Sequence, residues 1–161
     1  LPRSSGRGAL AGLPGRPGVT SSPAAPGAAN AGAPRPRTCP CGSGALLAQC
    51  CGRYLDGEVA PTAEALMRSR YTAFALRDED YLFRTWHPRT RPAPPYWVEG
   101  TQWTGLQILG AEAGGPSDEE GTVTFVASWR DTSTGESGQM REHSRFSRRA
   151  GRWMYEYGAN D

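Results

Sequence analysis

Four cysteines fall within thirteen residues, at Cys39, Cys41, Cys50 and Cys51, and no other cysteine occurs in the 161-residue chain. Thiols this close cannot staple distant parts of a fold, but they can surround one metal ion. Zinc takes four ligands in a tetrahedron, with sulfur ~2.3 Å away. An iron–sulfur cluster also uses four thiolates, and copper(I) favours soft sulfur. Disulfides fit poorly. Adjacent cysteines such as Cys50 and Cys51 have Cα atoms about 3.8 Å apart, short of the usual ~4.4–6.8 Å, and no secretory leader with an apolar run precedes the cluster. Zinc is therefore the expected ion. Pro40 fixes one backbone angle between the first two ligands. Gly42 and Gly44 permit the backbone that wraps amides toward sulfur, and Ser43 adds a hydroxyl donor. Four thiolates on a divalent ion leave a formal charge of about −2, which Arg37 and Arg53 are placed to offset. A site closed by four protein ligands leaves no position for water or substrate, so its expected role is structural rather than catalytic.

The elements around this cluster divide the chain into three. Residues 1–37 are rich in Gly, Pro, Ala and Arg, with almost no large apolar side chains, and are expected to be disordered. A flexible tail, upstream sequence from a misassigned start, and an Arg- and Ser-bearing targeting peptide are the three readings this stretch admits. Residues 38–53 form the knuckle, and 54–161 a folded domain. The net charge of +2 hides a split: residues 1–37 carry five arginines and no acid, leaving 13 arginines against 16 acids in the rest, a balance of −3. The folded part shows no nucleic-acid footprint. All 18 basic residues are arginine, as coding bias in a GC-rich bacterial genome would produce. No apolar run approaches the ~20 residues of a membrane helix. Reduced thiols without a leader point to the cytoplasm.

Within the domain, Ala63, Met67, Tyr71 and Phe74 recur at three-to-four spacing and predict a helix over 62–76, capped by Thr62, with Arg70 at the edge of the apolar face. Asp78 opens a second helix running to about Trp86, closed by His87-Pro88, where His87 acts as a C-terminal cap. Residues 89–100 are proline-rich, with Tyr96 and Trp97 as tethers. The period then changes to two, predicting strands at 103–112, 121–131, 138–148 and 152–158. Helices followed by an antiparallel meander make an α+β fold. Trp86, Trp103, Trp129, Trp153 and Tyr155 are read as core, and Asp118-Glu119-Glu120 as a solvated turn.

Cys-Pro-Cys-Gly-Ser-Gly, five residues, then Cys-Cys-Gly resembles the SEC-C motif, the zinc knuckle also found on the motor ATPase of bacterial preprotein export. The residues that follow, notably Glu64-Ala65-Leu66-Met67-Arg68-Ser69-Arg70-Tyr71, Thr85-Trp86-His87-Pro88, Glu142-x-Ser144-Arg145-Phe146 and Trp153-x-Tyr155, resemble the YchJ-type family. The likeness runs from about Cys39 to Gly158. It implies a SEC-C knuckle joined to a nuclear transport factor 2-like cone, in which a curved sheet of about four strands wraps the N-terminal helices. It also implies one zinc ion per chain, held by Cys39, Cys41, Cys50 and Cys51. In the export ATPase the motif contacts a chaperone and the ribosome. Here the insert Ala45-Leu46-Leu47-Ala48-Gln49 lacks the lysines common in such motifs, which disfavours nucleic acid or an acidic partner. Leu46 and Leu47 are instead expected to dock the knuckle on its own domain.

A cone has a concave face. Strand alternation turns Glu142, Ser144 and Phe146 inward and Arg141, His143, Arg145 and Ser147 outward. A buried Glu142 needs a partner, and Arg70 is the expected one, with Tyr71 and Trp86 nearby. This set is either a structural ion pair or a ligand anchor in a small-molecule pocket. No nucleophile elbow, phosphate loop or dinucleotide fingerprint occurs, and no catalytic residue is assigned. The leading expectation is a cytoplasmic zinc protein whose knuckle serves structure or a protein partner. The alternatives are a small-molecule or enzymatic domain using the cone pocket, and a ribosome- or export-associated adaptor. Nothing in the sequence fixes an oligomeric state.

Overall fold

The computed structural model describes residues 34–160. The expected tail at 1–37 thus lies outside the described residues except for its last four, and these are tied down. Arg35 pairs with Asp56 at 3.1 Å, and the Arg37 carbonyl accepts from the Leu47 amide at 2.9 Å. After a short 3-10 turn at Leu47–Gln49 come three helices, α1 (Cys51–Leu55), α2 (Ala63–Leu76) and α3 (Glu79–Thr85). Four strands follow: β1 (Thr101–Ala113), β2 (Glu120–Asp131), β3 (Ser137–Arg149) and β4 (Arg152–Asn160).

The helix starts follow from side-chain caps. Thr62 Oγ1 accepts from the Ala65 amide at 3.0 Å, and Asp78 Oδ1 accepts from the Tyr81 amide at 3.1 Å. Helix α2 stops at Arg77, whose φ of 60° is left-handed. Helix α3 ends at Thr85, with Trp86 already extended. His87 therefore does not cap the helix. Its amide donates to the Tyr155 carbonyl at 2.8 Å, and its Nδ1 accepts from the Arg89 amide at 3.1 Å, so it fastens the following turn to the free edge of β4.

The sheet is an antiparallel meander in the order β1-β2-β3-β4. Register shifts in β1 at Trp103/Gly105 and Ile108/Gly110, and in β4 between Tyr155 and Tyr157 opposite Arg145/Phe146, interrupt the ladder. Such bulges sharpen twist and bend a sheet. Helix α2 lies against β1, β2 and β4, and α3 against β4. This is the expected α+β arrangement, with helices held in the concavity of a four-stranded sheet. The inward row of β2 is Val123, Phe125 and Ala127, all fully buried. On β3 the inward row is Glu142, Ser144 and Phe146, as alternation predicts.

The surroundings of α2 differ from the expectation. Arg70 is not at the edge of a buried face but inside the core, at 2% exposure, and Leu66, Ser69, Thr72 and Ala73 are buried with it. The knuckle and α1 cover one side, α3 another and the sheet a third. An apolar stripe of three-to-four spacing marks only the sheet-facing side, and the polar residues between are covered by elements the local pattern does not reveal. Tyr96 is also buried, and the Arg77 guanidinium stacks 4.5 Å from the ring of Trp97, which holds the proline-rich connection in place.

Gly158 on β4 sits opposite Ser144, and a methyl group there would overlap the carboxylate of Glu142. Because the obstructing group is itself buried, Gly158→Ala is expected to cost about 3 kcal/mol of stability. Urea unfolding of the purified variant measures this, and a loss below about 0.5 kcal/mol would contradict the packing described.

Candidate metal centre and the polar core behind it

The four Sγ atoms of Cys39, Cys41, Cys50 and Cys51 all lie within 4.8 Å of one another, and Cys41 and Cys50 are 3.7 Å apart. Four sulfurs bound at ~2.3 Å in a tetrahedron stand about 3.8 Å apart, so the donor set fits one four-coordinate ion. Backbone geometry explains how a thirteen-residue loop gathers them. Thr38 bridges Leu46, the Cys39 amide donates to the Ala45 carbonyl at 2.9 Å, and the Cys50 amide donates to the Leu47 carbonyl at 3.0 Å. Gly42 and Gly44 have φ of 83° and 87°, a region closed to most side chains, and they reverse the chain between the two ligand pairs. Ser43 Oγ lies 3.2 Å from Cys50 Sγ.

Electrostatics also favour a cation here. Contacts with Cys39 and Cys51 hold the Cys41 thiol far below its ordinary value. Contacts with Cys39 and Cys41, together with burial, drive Cys51 far above its own. Cys39, Cys41 and Cys51 thus compete for charge, and a divalent ion would let them ionise together.

The charge is offset from a direction the sequence did not indicate. Arg68 on α2 donates through Nη1 to the Cys41 carbonyl at 3.2 Å and lies 3.8 Å from Cys41 Sγ, while its Nε holds Glu64. Thr72, one turn on, places its hydroxyl 3.7 Å from Cys39 Sγ. Arg53, expected to serve the thiolates, reaches only the Cys50 carbonyl, at 3.4 Å, and otherwise engages Tyr54 and Glu58. In sequence, Arg68 four residues after Glu64 looks like an ordinary solvent-facing helix pair. Only the docking of the knuckle gives it a second partner. Leu47 is buried as expected, whereas Leu46 stays 37% exposed.

Behind α2 the interior candidates take their places. Arg70, Trp86 and Glu142 converge on Tyr155. The Arg70 guanidinium lies 4.8 Å from the Trp86 ring and 4.5 Å from the Tyr155 ring, and it donates through Nη1 to the Leu82 carbonyl and Thr85 Oγ1. The Tyr155 hydroxyl donates to Glu142 Oε2 at 2.8 Å, as does Ser144. Tyr155, read from sequence only as a core aromatic, thus links guanidinium to carboxylate. Tyr71 is apart from them, edge-on to Trp103 at 6.2 Å. Burial pushes Arg70 down to about 10, opposed by Tyr155, Tyr81 and Glu142, so it remains a cation at neutral pH. Burial raises the Glu142 carboxyl, against the hydrogen bonds from Tyr155 and Ser144 and the charge of Arg70. Trp86 Nε1 is buried without a hydrogen-bond partner. His143 lies on the outer face with Nδ1 2.7 Å from Thr124 Oγ1. Asp118 and Glu119 form the expected turn, which Arg148 clamps from β3.

Comparisons with known proteins match two segments of the chain. Residues 35–53 match the model of the SEC-C motif, and residues 62–158 match that of the YchJ middle NTF2-like domain. A UPF0225 protein of Streptomyces avermitilis is 51% identical over 123 residues, covering 76% of this chain and 84% of the relative. Another from Chromobacterium violaceum is 53% identical, covering 74% and 90%. The solution structure of a SEC-C motif containing protein from Rhodopseudomonas palustris superposes with a TM-score of 0.67 at 37% identity, covering 75% of this chain and 96% of that one. The crystal structure of a SEC-C motif containing protein from Psychrobacter arcticus gives 0.61 at 26% identity, covering 75% and 80%.

The raised Glu142 carboxyl has a measurable consequence. Native Glu142 keeps a proton that the unfolded chain releases near the ordinary value of 4.5. Its contribution is therefore fully present below that pH and is lost as pH rises through the folded value. Glu142→Gln keeps an acceptor for Tyr155 and Ser144 at every pH. The stability of the wild type relative to Glu142→Gln should fall as pH is raised from about 4 to 8 in urea titrations. A difference independent of pH would show that Glu142 does not titrate in the folded state.

Proposed function

Since the chain belongs to the UPF0225 family, in which a SEC-C motif precedes a YchJ-type NTF2-like domain, we propose that it holds one zinc ion as a structural clamp. The clamp fixes the knuckle to α2 and shapes the outward surface of the knuckle for a protein partner. The observation that carries this reading is the closed set of four sulfurs, supported from behind by Thr72 and Arg68 of the same helix. Zinc held by Cys39, Cys41, Cys50 and Cys51 would supply a fixed cross-link between the two ends of the loop. The chain's own residues do the rest: Gly42 and Gly44 turn the loop, Leu47 buries its apolar side, and Arg68 offsets its charge.

Thiolate ligands of this kind persist in a reducing compartment, which supports a cytoplasmic setting. None of the described helices is long and apolar enough to cross a membrane. The outward face of the knuckle offers Leu46 beside Ser43 and the half-exposed Cys50. That is a small contact rather than a broad apolar patch, and it carries no basic side chain in the 45–49 insert. It supports a protein contact better than nucleic acid.

Purified chain is expected to carry about one zinc, and its removal by a chelator should lower the thermal midpoint and speed amide exchange in α2 around Thr72. Iron with stoichiometric sulfide, or an unchanged midpoint after complete metal removal, would overturn the clamp. Thr72→Val and Arg68→Ala should each retain zinc yet lose about 1–2 kcal/mol of stability.

A further inference from the structure

A second feature belongs to neither site above. The loop joining α1 to α2, the C-terminal half of α3 and the first residues of β4 enclose a cleft of about 380 Å³. Small-molecule sites range over roughly 300–1,000 Å³. None of the cysteines and none of Arg70, Tyr71, Trp86 and Glu142 line this cleft. Its lining is mixed, with an apolar part from Val59, Leu66, Trp153 and Met154 and a polar part that includes Arg84 and Arg152.

The charges do not balance within it. Glu58, the acid among the lining residues, is 3.6 Å from Arg53. Arg84 is committed to Asp80 at 3.1 Å and to the Leu55 carbonyl at 2.9 Å. Arg152 makes no ion pair among the described residues and is exposed. The floor adds a further positive source. Thr85 lines the cleft, and its hydroxyl accepts from Arg70 Nη1 at 2.8 Å while donating to the Tyr81 carbonyl at 2.7 Å. A wholly buried guanidinium therefore stands one hydroxyl away from the cleft. Among the described residues its two hydrogen bonds leave from a single nitrogen, and its planar face meets aromatic rings. A buried cation held by a carbonyl, a hydroxyl and two rings, with Glu142 beyond Tyr155, adds positive potential to the adjoining cleft.

We propose that this cleft binds a small amphipathic anion, with an apolar body against Val59, Trp153 and Met154 and a single carboxylate or phosphate head at Arg152. The proposal goes beyond the zinc clamp and does not depend on it. It also moves ligand binding away from the sequence-expected pocket: Arg70 acts from behind the floor as a field source, and Arg152 makes the contact.

The test is an amide-nitrogen NMR titration of the zinc-loaded full chain with benzoate and with phenyl phosphate, and with phenol as the neutral comparison. Saturable shifts at the amides of Gly57, Val59, Thr85 and Met154 are expected for at least one anion, with weaker binding of phenol. Arg152→Ala should weaken that anion roughly tenfold. Arg149→Ala, which removes the same charge from the facing strand outside the cleft, should leave its affinity unchanged. Val59→Glu places an acid in the mouth and should abolish binding. The proposal is overturned if neither anion gives saturable shifts at these amides, if phenol binds as tightly, or if the two arginine variants lose affinity equally.

Discussion

Helix α2 is enclosed on three sides, yet it carries Arg68, Ser69, Arg70 and Thr72 in succession with only Tyr71 interrupting the polar run that follows. Burying such groups costs several kcal/mol each unless they are paired, and every neighbouring element can be understood as a solution to that constraint. Arg68 and Thr72 are answered by the knuckle sulfurs and the Cys41 carbonyl. Ser69 is answered by the Leu66 carbonyl and the Tyr81 hydroxyl of α3 at 2.7 Å. Arg70 is answered by Leu82, Thr85 and two aromatic faces. One helix thus couples the metal centre to the interior of the sheet, and neither side can be removed without stranding a polar row.

The same constraint explains why the interior cluster reads better as architecture than as a reaction centre. Trp86, Tyr71 and Glu142 are closed off from solvent, and the hydroxyls of Tyr155 and Ser144 already occupy the carboxylate. Gly158 lacks a side chain where the Glu142 carboxyl needs room. What the cluster exports is its charge, through Thr85, to a cleft that does open to solvent.

Much of this was legible in the sequence, for local reasons. The thiol spacing pointed to one candidate metal cluster because a loop this short leaves few ways to arrange four sulfurs, and the fold does bring the four together. Thr62 and Asp78 announced the helix starts through side-chain chemistry that acts within three residues. Alternation on β3 put Glu142 and Ser144 indoors correctly. What could not be read was any relation between distant segments. Arg70 resembled a boundary residue, Tyr155 a plain core aromatic and His87 a helix cap, while Arg68 pointed to no role. Each has a different role because a partner between 12 and 85 residues away in sequence reaches it. The cleft of Val59, Thr85 and Arg152 draws on three separate elements and leaves no local trace at all.

The central claim is that Cys39, Cys41, Cys50 and Cys51 share one ion and so present a closed node to α2. Metal-edge X-ray absorption of the purified chain tests it most directly. A single shell of four sulfurs at ~2.3 Å from zinc, with no metal neighbour, is the predicted result. A metal–metal vector, or nitrogen and oxygen ligands in place of any sulfur, would contradict it.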